Sequence, residues 1–377
     1  MSKTKRKSYA EQAAEKGTLS KYYVGLDVAQ KKTQVCILDE NGKIVREKYV
    51  NSRPKALEEV IRHYCASNVE QIGIESGNYS GWLYQELKKA GFPIVCLDAL
   101  QIHRFLSVRR NKTDVNDARG IAELVRRGMD WVNAVHVKSA ICYEIRGLLT
   151  IRNRMVKQRT DNILMLRGIL KAYGGIIEGG SDNIDTFRQK VIDVAVDIHV
   201  RDQIDLRPRI RPVLEMIAKL DSSAQKIEEE LKVMAEASPV CQKFMTVPGV
   251  GPIIALSFYT AIEDPTRFRR SSDVAAYFGL TPRIYQSGET ETSGQISKMG
   301  NQMTRSHLVL AANVILSSSR EWSSLKVWGN KLVKRVGYNK AKVAVARKLA
   351  MILFAMWRDD KQWYYNQDAL QQARAAA

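Results

Sequence analysis

At 377 residues the chain is longer than one ordinary hydrophobic core sustains, so two or three domains are expected. Its 59 lysines and arginines stand against 40 aspartates and glutamates, a formal charge of +19, which puts nucleic acid ahead of a merely basic, solvated surface. Five scattered cysteines without a CxxC pair suggest neither a zinc site nor a disulfide framework, and no apolar run reaches the roughly 20 residues of a membrane span, so a soluble cytoplasmic protein with no membrane partner is expected.

Residues 1–20 are polar and open with Lys3, Lys5, Arg6 and Lys7, a basic arm that either lies along a phosphate backbone or is simply an unstructured start. From Tyr22, YYVGLDV and KKTQVCILD alternate as strands, and the turn chemistry of Asn41-Gly42 leads into IVREKYV, which predicts a three-strand meander. A helical stretch (PKALEEVIRHYCAS), a short apolar strand (QIGIES), a second helix (SGWLYQELKKAG), a strand (FPIVCLD) and a further helical segment follow. A meander followed by alternating helices and strands defines an α/β sheet, and the ribonuclease-H-like arrangement is among those with this order. This domain is expected over 21–137.

Residues 138–237 change character. SAICYEIRGLLTIRNRMVKQRTDNILMLRGILKAYG reads as one long helix ending at Gly174-Gly175, with Leu149, Val156, Ile163 and Leu170 every seven residues. A second keeps a four-three spacing through Val213, Ile217, Leu220, Ala224, Ile227, Leu231 and Met234. The pair predicts a helical hairpin or coiled coil, its seam closing within one chain or between two.

The last region, 238–377, is expected to be mostly helical. In MTVPGVGPIIALSFYTAI, Pro248, Gly249 and Gly251 separate a pair of helical runs in the manner of a helix-hairpin-helix, either a phosphate cradle or a plain glycine turn. Further on, Lys326, Lys331, Lys334, Arg335, Lys340, Lys342, Arg347 and Lys348 lie among Trp322, Trp328 and Tyr338, a mixture suited to nucleic acid or to a solvated helix face.

Four acids carry the chemistry. Asp27 closes the first strand in GLDVA and Glu75 a later one in GIESG, so in neighbouring strands both emerge at one sheet edge. Asp114 and Asp117, three apart in NKTDVNDARGIAELV, share one helical face, although a lone Asp114 also reads as an N-cap. Repelling carboxylates of this kind suit a magnesium or manganese ion, and phosphoryl transfer is the matching reaction.

YVGLDVAQKK, GIESGNY, NKTDVNDARGIAEL, VPGVGPIIA, FGLTPRIYQSGE and ISKMGNQMTR, in this order, resemble the bacterial insertion-sequence transposases with a RuvC-like DEDD domain, whose better-studied members are recombinases guided by a bridge RNA. The resemblance covers nearly the whole chain and implies a DEDD set at Asp27, Glu75, Asp114 and Asp117. It also implies a catalytic serine at Ser287 in a C-terminal transposase domain, forming a covalent phosphoserine link to DNA. Read without it, Ser287 before Gly288 is a turn residue with no base beside it. Further implications are DNA duplexes and a guide RNA as partners, Mg2+ or Mn2+ as cofactor, and a homodimer or homotetramer whose subunits share active sites, associated with the bacterial nucleoid. The competing expectations are a junction-resolvase-like nuclease that hydrolyses with water, and a non-catalytic RNA- or DNA-binding protein. The N-terminal arm and the stretch GGIIEGGSDNIDTFRQKVIDVAVDIHVRDQIDLRPR depart from the shorter family members.

Overall fold

The computed structural model describes residues 20–66, 68–107, 113–128, 132–180, 183–287, 290–319 and 323–363. Residues 1–19 of the basic arm expected over 1–20, the Asn111-Lys112 start of one acidic motif, Gly288 and Trp322 lie outside the described residues. The chain divides into two compact units, Met1–Ser139 and Ala140–Ala377.

In the first unit β1 (Tyr22–Val28), β2 (Lys32–Asp39) and β3 (Ile44–Asn51) form the expected antiparallel meander. Next come α1 (Pro54–Cys65), β4 (Val69–Glu75), α2 (Ser80–Lys89), β5 (Ile94–Leu97), α3 (Ala99–Leu106) and α4 (Asp114–Arg126). β4 pairs parallel to β1, and β5 parallel to β4, giving the order β3-β2-β1-β4-β5.

Residues at period two sort the central strands onto two faces. Val24, Leu26, Val35, Ile37, Ile72 and Ile74 bury against Leu57 and Ile61 of α1 and Leu83 and Leu87 of α2. On the opposite face Cys36 and Leu38 meet Ala118 and Ala122 of α4, beside a cluster of Leu97, Ile102, Ile121, Leu124 and Val125. Helices thus cover both faces, which explains why β2 is buried almost throughout.

Two paired glycines decide how close α4 comes. Gly25 of β1 is in register with Gly73 of β4. A Cβ on Gly25 would sit 2.1 Å from the Ala118 carbonyl oxygen, and one on Gly73 would sit 2.8 Å from methyls of Ile121 and Val125. The bare strand backbones therefore let α4 rest directly on the sheet. Arg119 then grips Glu47 of β3, with Nη2 donating to Oε2 at 2.6 Å, and Arg126 Nη1 donates to the Glu40 carbonyl at 3.0 Å.

The second unit begins with α5 (Ala140–Ala172), one residue pair short of the expected stop, with Gly174 in the left-handed region at φ +76°. α6 (Ile184–Asp202) follows, then α7 (Arg207–Ala237). Arg152 Nε of α5 donates to Glu228 of α7 at 2.7 Å, and Arg159 pairs with Asp221, so rising numbers on α5 meet falling numbers on α7 and the two run antiparallel. Ile217, Ala224 and Leu231 of the four-three seam are buried along this packing, and Val213, Leu220, Ile227 and Met234 are half-buried.

α6 goes beyond the expected hairpin. Asn183 caps it by accepting from Thr186 N, and Phe187, Val191, Ala195 and Ile198 make its apolar side, packed with Ile163, Leu166, Leu170, Ile210, Leu214 and Ile217. Its polar residues and the glycines before it mask that side when the sequence is read in a line.

The remaining elements are α8 (Pro239–Met245), α9 (Pro252–Ile262), α10 (Ser271–Tyr277), β6 (Pro282–Ser287), β7 (Thr290–Ile296), α11 (Gln302–Ser317), α12 (Ser324–Val336) and α13 (Tyr338–Arg358). Their core gathers Phe244, Phe258, Phe278 and Phe354, together with Ile145 and Leu149 of α5 and Leu231 and Ala235 of α7. The helical pair is therefore rooted in the core of the C-terminal helices. Among the described residues no helix is long and apolar enough to cross a membrane.

All five cysteines are buried and none is paired in a disulfide. Burial pushes the thiols of Cys36 and Cys65 up to about 12 and those of Cys96 and Cys241 up to about 11, which leaves them inert as nucleophiles and metal ligands at neutral pH.

Candidate metal-dependent active site

Asp27 lies two residues beyond Gly25 on β1, and Glu75 two beyond Gly73 on β4. Each therefore shares the face of its glycine, the face that α4 covers, and the two strands are neighbours about 5 Å apart. Both acids are half-buried at the C-terminal ends of parallel strands. The chain after Glu75 is tied down: Ser76 N donates to the Leu97 carbonyl at 2.9 Å, and Ser76 Oγ accepts from Ala99 N at 3.0 Å.

α4 delivers the other two acids. Gly25 faces Ala118 and Ala122, so the turn before Ala118, which carries Asp114 and Asp117, lies further toward the strand end that bears Asp27. Thr113, not Asp114, is the N-cap, its side chain accepting from Asn116 N at 3.2 Å, and this corrects the capping alternative for Asp114. Asp114 is thereby exposed at the helix mouth, where the first-turn N–H groups and the helix dipole favour negative charge.

Tyr49 of β3 links the two groups. Its hydroxyl donates to Asp114 Oδ2 at 3.4 Å. Removal from water raises the Tyr49 pKa, with the charge and hydrogen bond of Asp114 and the charge of Asp27 adding to the rise. Across the sheet Asp27 is in register with Gln34 of β2, and Gln34 with Tyr49, so the three make one lateral row. Gln34 is only 2% exposed, and its Oε1 is buried without a hydrogen-bond partner among the described residues. A buried acceptor left unpaired costs about 1–3 kcal/mol, so its position in the acidic row needs a reason.

The structure therefore brings Asp27, Glu75, Asp114 and Asp117 to one face and one end of the sheet. Their side chains do not close into a coordination sphere: among the described residues no three histidine, cysteine, aspartate or glutamate side chains stand close enough to hold a metal ion. The donor set nonetheless suits a hard divalent cation in chemistry, being all oxygen, with two of its acids at the mouth of a helix and an orphaned buried acceptor alongside. Asp27 and Glu75 would hold the ion from the strands and Asp114 and Asp117 from the helix.

Sequence reading missed Gln34 and Tyr49. Gln34 is the polar residue in the apolar run KTQVCILD, and counting the pairs outward from the turn after Val28 sets it opposite Asp27. That count was the available signal.

In the second unit Ser287 is the last residue of β6, its backbone opposite Thr290 of β7, at the tip of a two-strand hairpin. Gly249, at φ +78°, packs against α11, where a Cβ would lie 2.8 Å from the Ala311 carbonyl oxygen, while Gly251 caps α9 and faces open space. Of the basic residues, Lys326 is corrected: it is buried, and its Nζ donates to the Ser319 carbonyl. Lys331, Lys334, Arg335, Lys340 and Lys348 are exposed, with Lys348 Nζ 4.5 Å above the centre of the Trp328 ring.

Two family models match the chain, one described as a transposase over residues 24–174 and one as a transposase of the IS116/IS110/IS902 family over 241–327. The transposase for insertion sequence element IS1111A of Coxiella burnetii is 31% identical over 338 residues, 88% of each chain. A probable family 20 transposase of Pseudomonas aeruginosa is 25% identical, covering 88% of this chain and 96% of its own. The pilin gene-inverting protein of Moraxella bovis is 23% identical over 91% of this chain and 98% of its own. The first match falls on the α/β unit with its four acids and runs on into α5, and it is of the DEDD type, which implies dependence on a divalent metal. The chain belongs to the IS110 family of bacterial insertion-sequence transposases, enzymes that act on DNA.

Proposed function

We propose that the protein is an RNA-guided DNA recombinase that cuts and rejoins strands through a covalent link to Ser287. The observation that carries this is the convergence of Asp27, Glu75, Asp114 and Asp117 on one sheet end under α4, in a chain that belongs to a transposase family. The strand order β3-β2-β1-β4-β5, three antiparallel strands and two parallel additions, supports a ribonuclease-H-like, RuvC-like reading of the first unit.

A bound Mg2+ or Mn2+ would supply Lewis-acid stabilisation of a phosphodiester and of the oxygen that leaves it. The chain's own contribution is placement. Asp27 and Glu75 are fixed by paired strands, and Asp114 and Asp117 by a helix clamped through Arg119 and Arg126. Ser287 Oγ forms the new bond to phosphorus as the bond from phosphorus to the sugar oxygen breaks. The hydroxyl proton is given up, and the departing sugar oxygen gains one. Reversal onto another sugar hydroxyl rejoins the strand without an external energy source, which matches an inverting relative such as the Moraxella protein.

The exposed cations of α12 and α13 serve phosphate contact, with guide RNA pairing to choose the site. The active site is shared between subunits of a homodimer or homotetramer, so that one chain alone does not cut.

The test is expression with the non-coding DNA that flanks the gene, followed by incubation with Mg2+ and target DNA and denaturing electrophoresis. Wild type yields a protein–DNA adduct that both Ser287→Ala and Asp27→Asn lack. Free nicked DNA from Ser287→Ala, with no adduct from wild type, refutes the serine route in favour of hydrolysis by water.

A further inference from the structure

We infer that Gln34 is a positioning residue of the carboxylate site, its carboxamide oxygen holding a water of the divalent ion's hydration shell beneath Asp27 and Asp114. The inference rests on the reading of the four acids as a metal site and adds a neutral donor to it.

Three observations meet at this side chain. Gln34 lies on the face of β2 that α4 covers, since Cys36 and Leu38, two and four residues along, pack on Ala118 and Ala122. It stands between Asp27 and Tyr49 in the cross-strand row, and Tyr49 in turn donates to Asp114, so an acid lies on one side of it and a tyrosine bound to a second acid on the other. Its Oε1 is buried and has no partner among the described residues, whereas the hydroxyl of its neighbour Tyr49 is committed to Asp114.

A carboxamide oxygen only accepts, and it carries no charge. An apolar residue at this place would leave a hydrated ion without an outer partner. Water bound to a divalent cation is polarised toward loss of a proton and is a strong donor, which is what an orphaned acceptor at this place lacks. Outer partners of this kind orient the inner ones, and their loss typically lowers metal affinity about 10–100-fold.

The experiment uses the full-length, metal-depleted protein and Mn2+ itself, with free ion counted by electron paramagnetic resonance and thermal melts run without metal. Gln34→Met keeps the volume and removes the oxygen; Gln34→Glu keeps an accepting oxygen; Asp27→Asn reports the site as a whole. Expected are Mn2+ binding in wild type that Asp27→Asn abolishes, an about 10–100-fold weaker affinity in Gln34→Met with an unchanged or raised metal-free melting temperature, and affinity retained in Gln34→Glu.

Affinity in Gln34→Met within about twofold of wild type overturns the role while leaving the carboxylate site standing. Gln34→Glu as weak as Gln34→Met also overturns it, because the amide would then act as a donor. Absence of Asp27-dependent Mn2+ binding in wild type sinks the metal site and this inference together. If Gln34→Met does not fold, the Gln34→Glu comparison still decides between acceptor and donor.

Discussion

Replacing Gly25 by alanine tests the seat of α4 directly. The added Cβ would lie 2.1 Å from the Ala118 carbonyl oxygen and 2.4 Å from Ala122 N, both backbone atoms of α4. Real contacts of this kind begin near 3.0 Å, so the helix must rise by about 1 Å at that point. It cannot tilt freely, being clamped to Glu47 through Arg119 and to the Glu40 carbonyl through Arg126. Overpacking costs about 1–3 kcal/mol, and a clash with clamped backbone belongs in the upper half of that range, a fall of roughly 5–10 °C in the melting of the first unit.

The lifted helix carries Asp114 and Asp117 away from Asp27, and a misplacement near 1 Å costs about 10²-fold in rate. Gly73→Ala is the internal comparison. Its Cβ would meet only side-chain methyls of Ile121 and Val125, at 2.8 Å, which rotate aside for about 1 kcal/mol. Calorimetry and DNA cleavage on the two variants should rank Gly25→Ala as clearly the worse. Equal effects, or a Gly25→Ala protein melting within about 1 °C of wild type with full cleavage, would refute the close seating of α4.

Exposed glycines inside α5 should behave in the opposite way: a Cβ added at Gly147 or Gly168 would have nothing within 4 Å, so alanine at each is expected to stabilise by about 0.5–1 kcal/mol, read from urea unfolding. His307 is buried, and burial with the neighbouring Arg152 charge holds its pKa down at about 4 against a usual 6.5. The unfolded chain then binds a proton that the folded one refuses, so this contribution is intact above about pH 6.5 and fades as pH falls to about 4, on the order of 3 kcal/mol in all; His307→Leu should flatten unfolding stability across that window. Between α5 and α7, Arg159→Asp alone places two acids together, whereas Arg159→Asp with Asp221→Arg restores an ion pair. Chemical denaturation should show the double variant recovering at least about 1 kcal/mol over the single one, and no recovery would refute the antiparallel register.

Much of the first unit was legible in a line of residues because its signals are local. Period-two strands, the Asn41-Gly42 turn and alternating helices give the meander and the parallel additions, and strand-end positions pick out Asp27 and Glu75. The heptads of α5 and α7 mark their buried sides in the same way. α6 escaped because an amphipathic run amid glycines and charges declares its apolar side only once α5 and α7 receive it.

By itself, then, the sequence determined the order of elements in the first unit, the strand-end acids and the family, since propensity, periodicity and motif spacing act over a few residues. Only the tertiary structure decided that Thr113 rather than Asp114 caps α4, that Lys326 turns inward to the Ser319 carbonyl, and that Gln34 and Tyr49 stand in a row with Asp27. Those outcomes depend on strand register and on the close approach allowed by Gly25 and Gly73, which are set by packing between segments tens of residues apart rather than by any residue's neighbours in the chain.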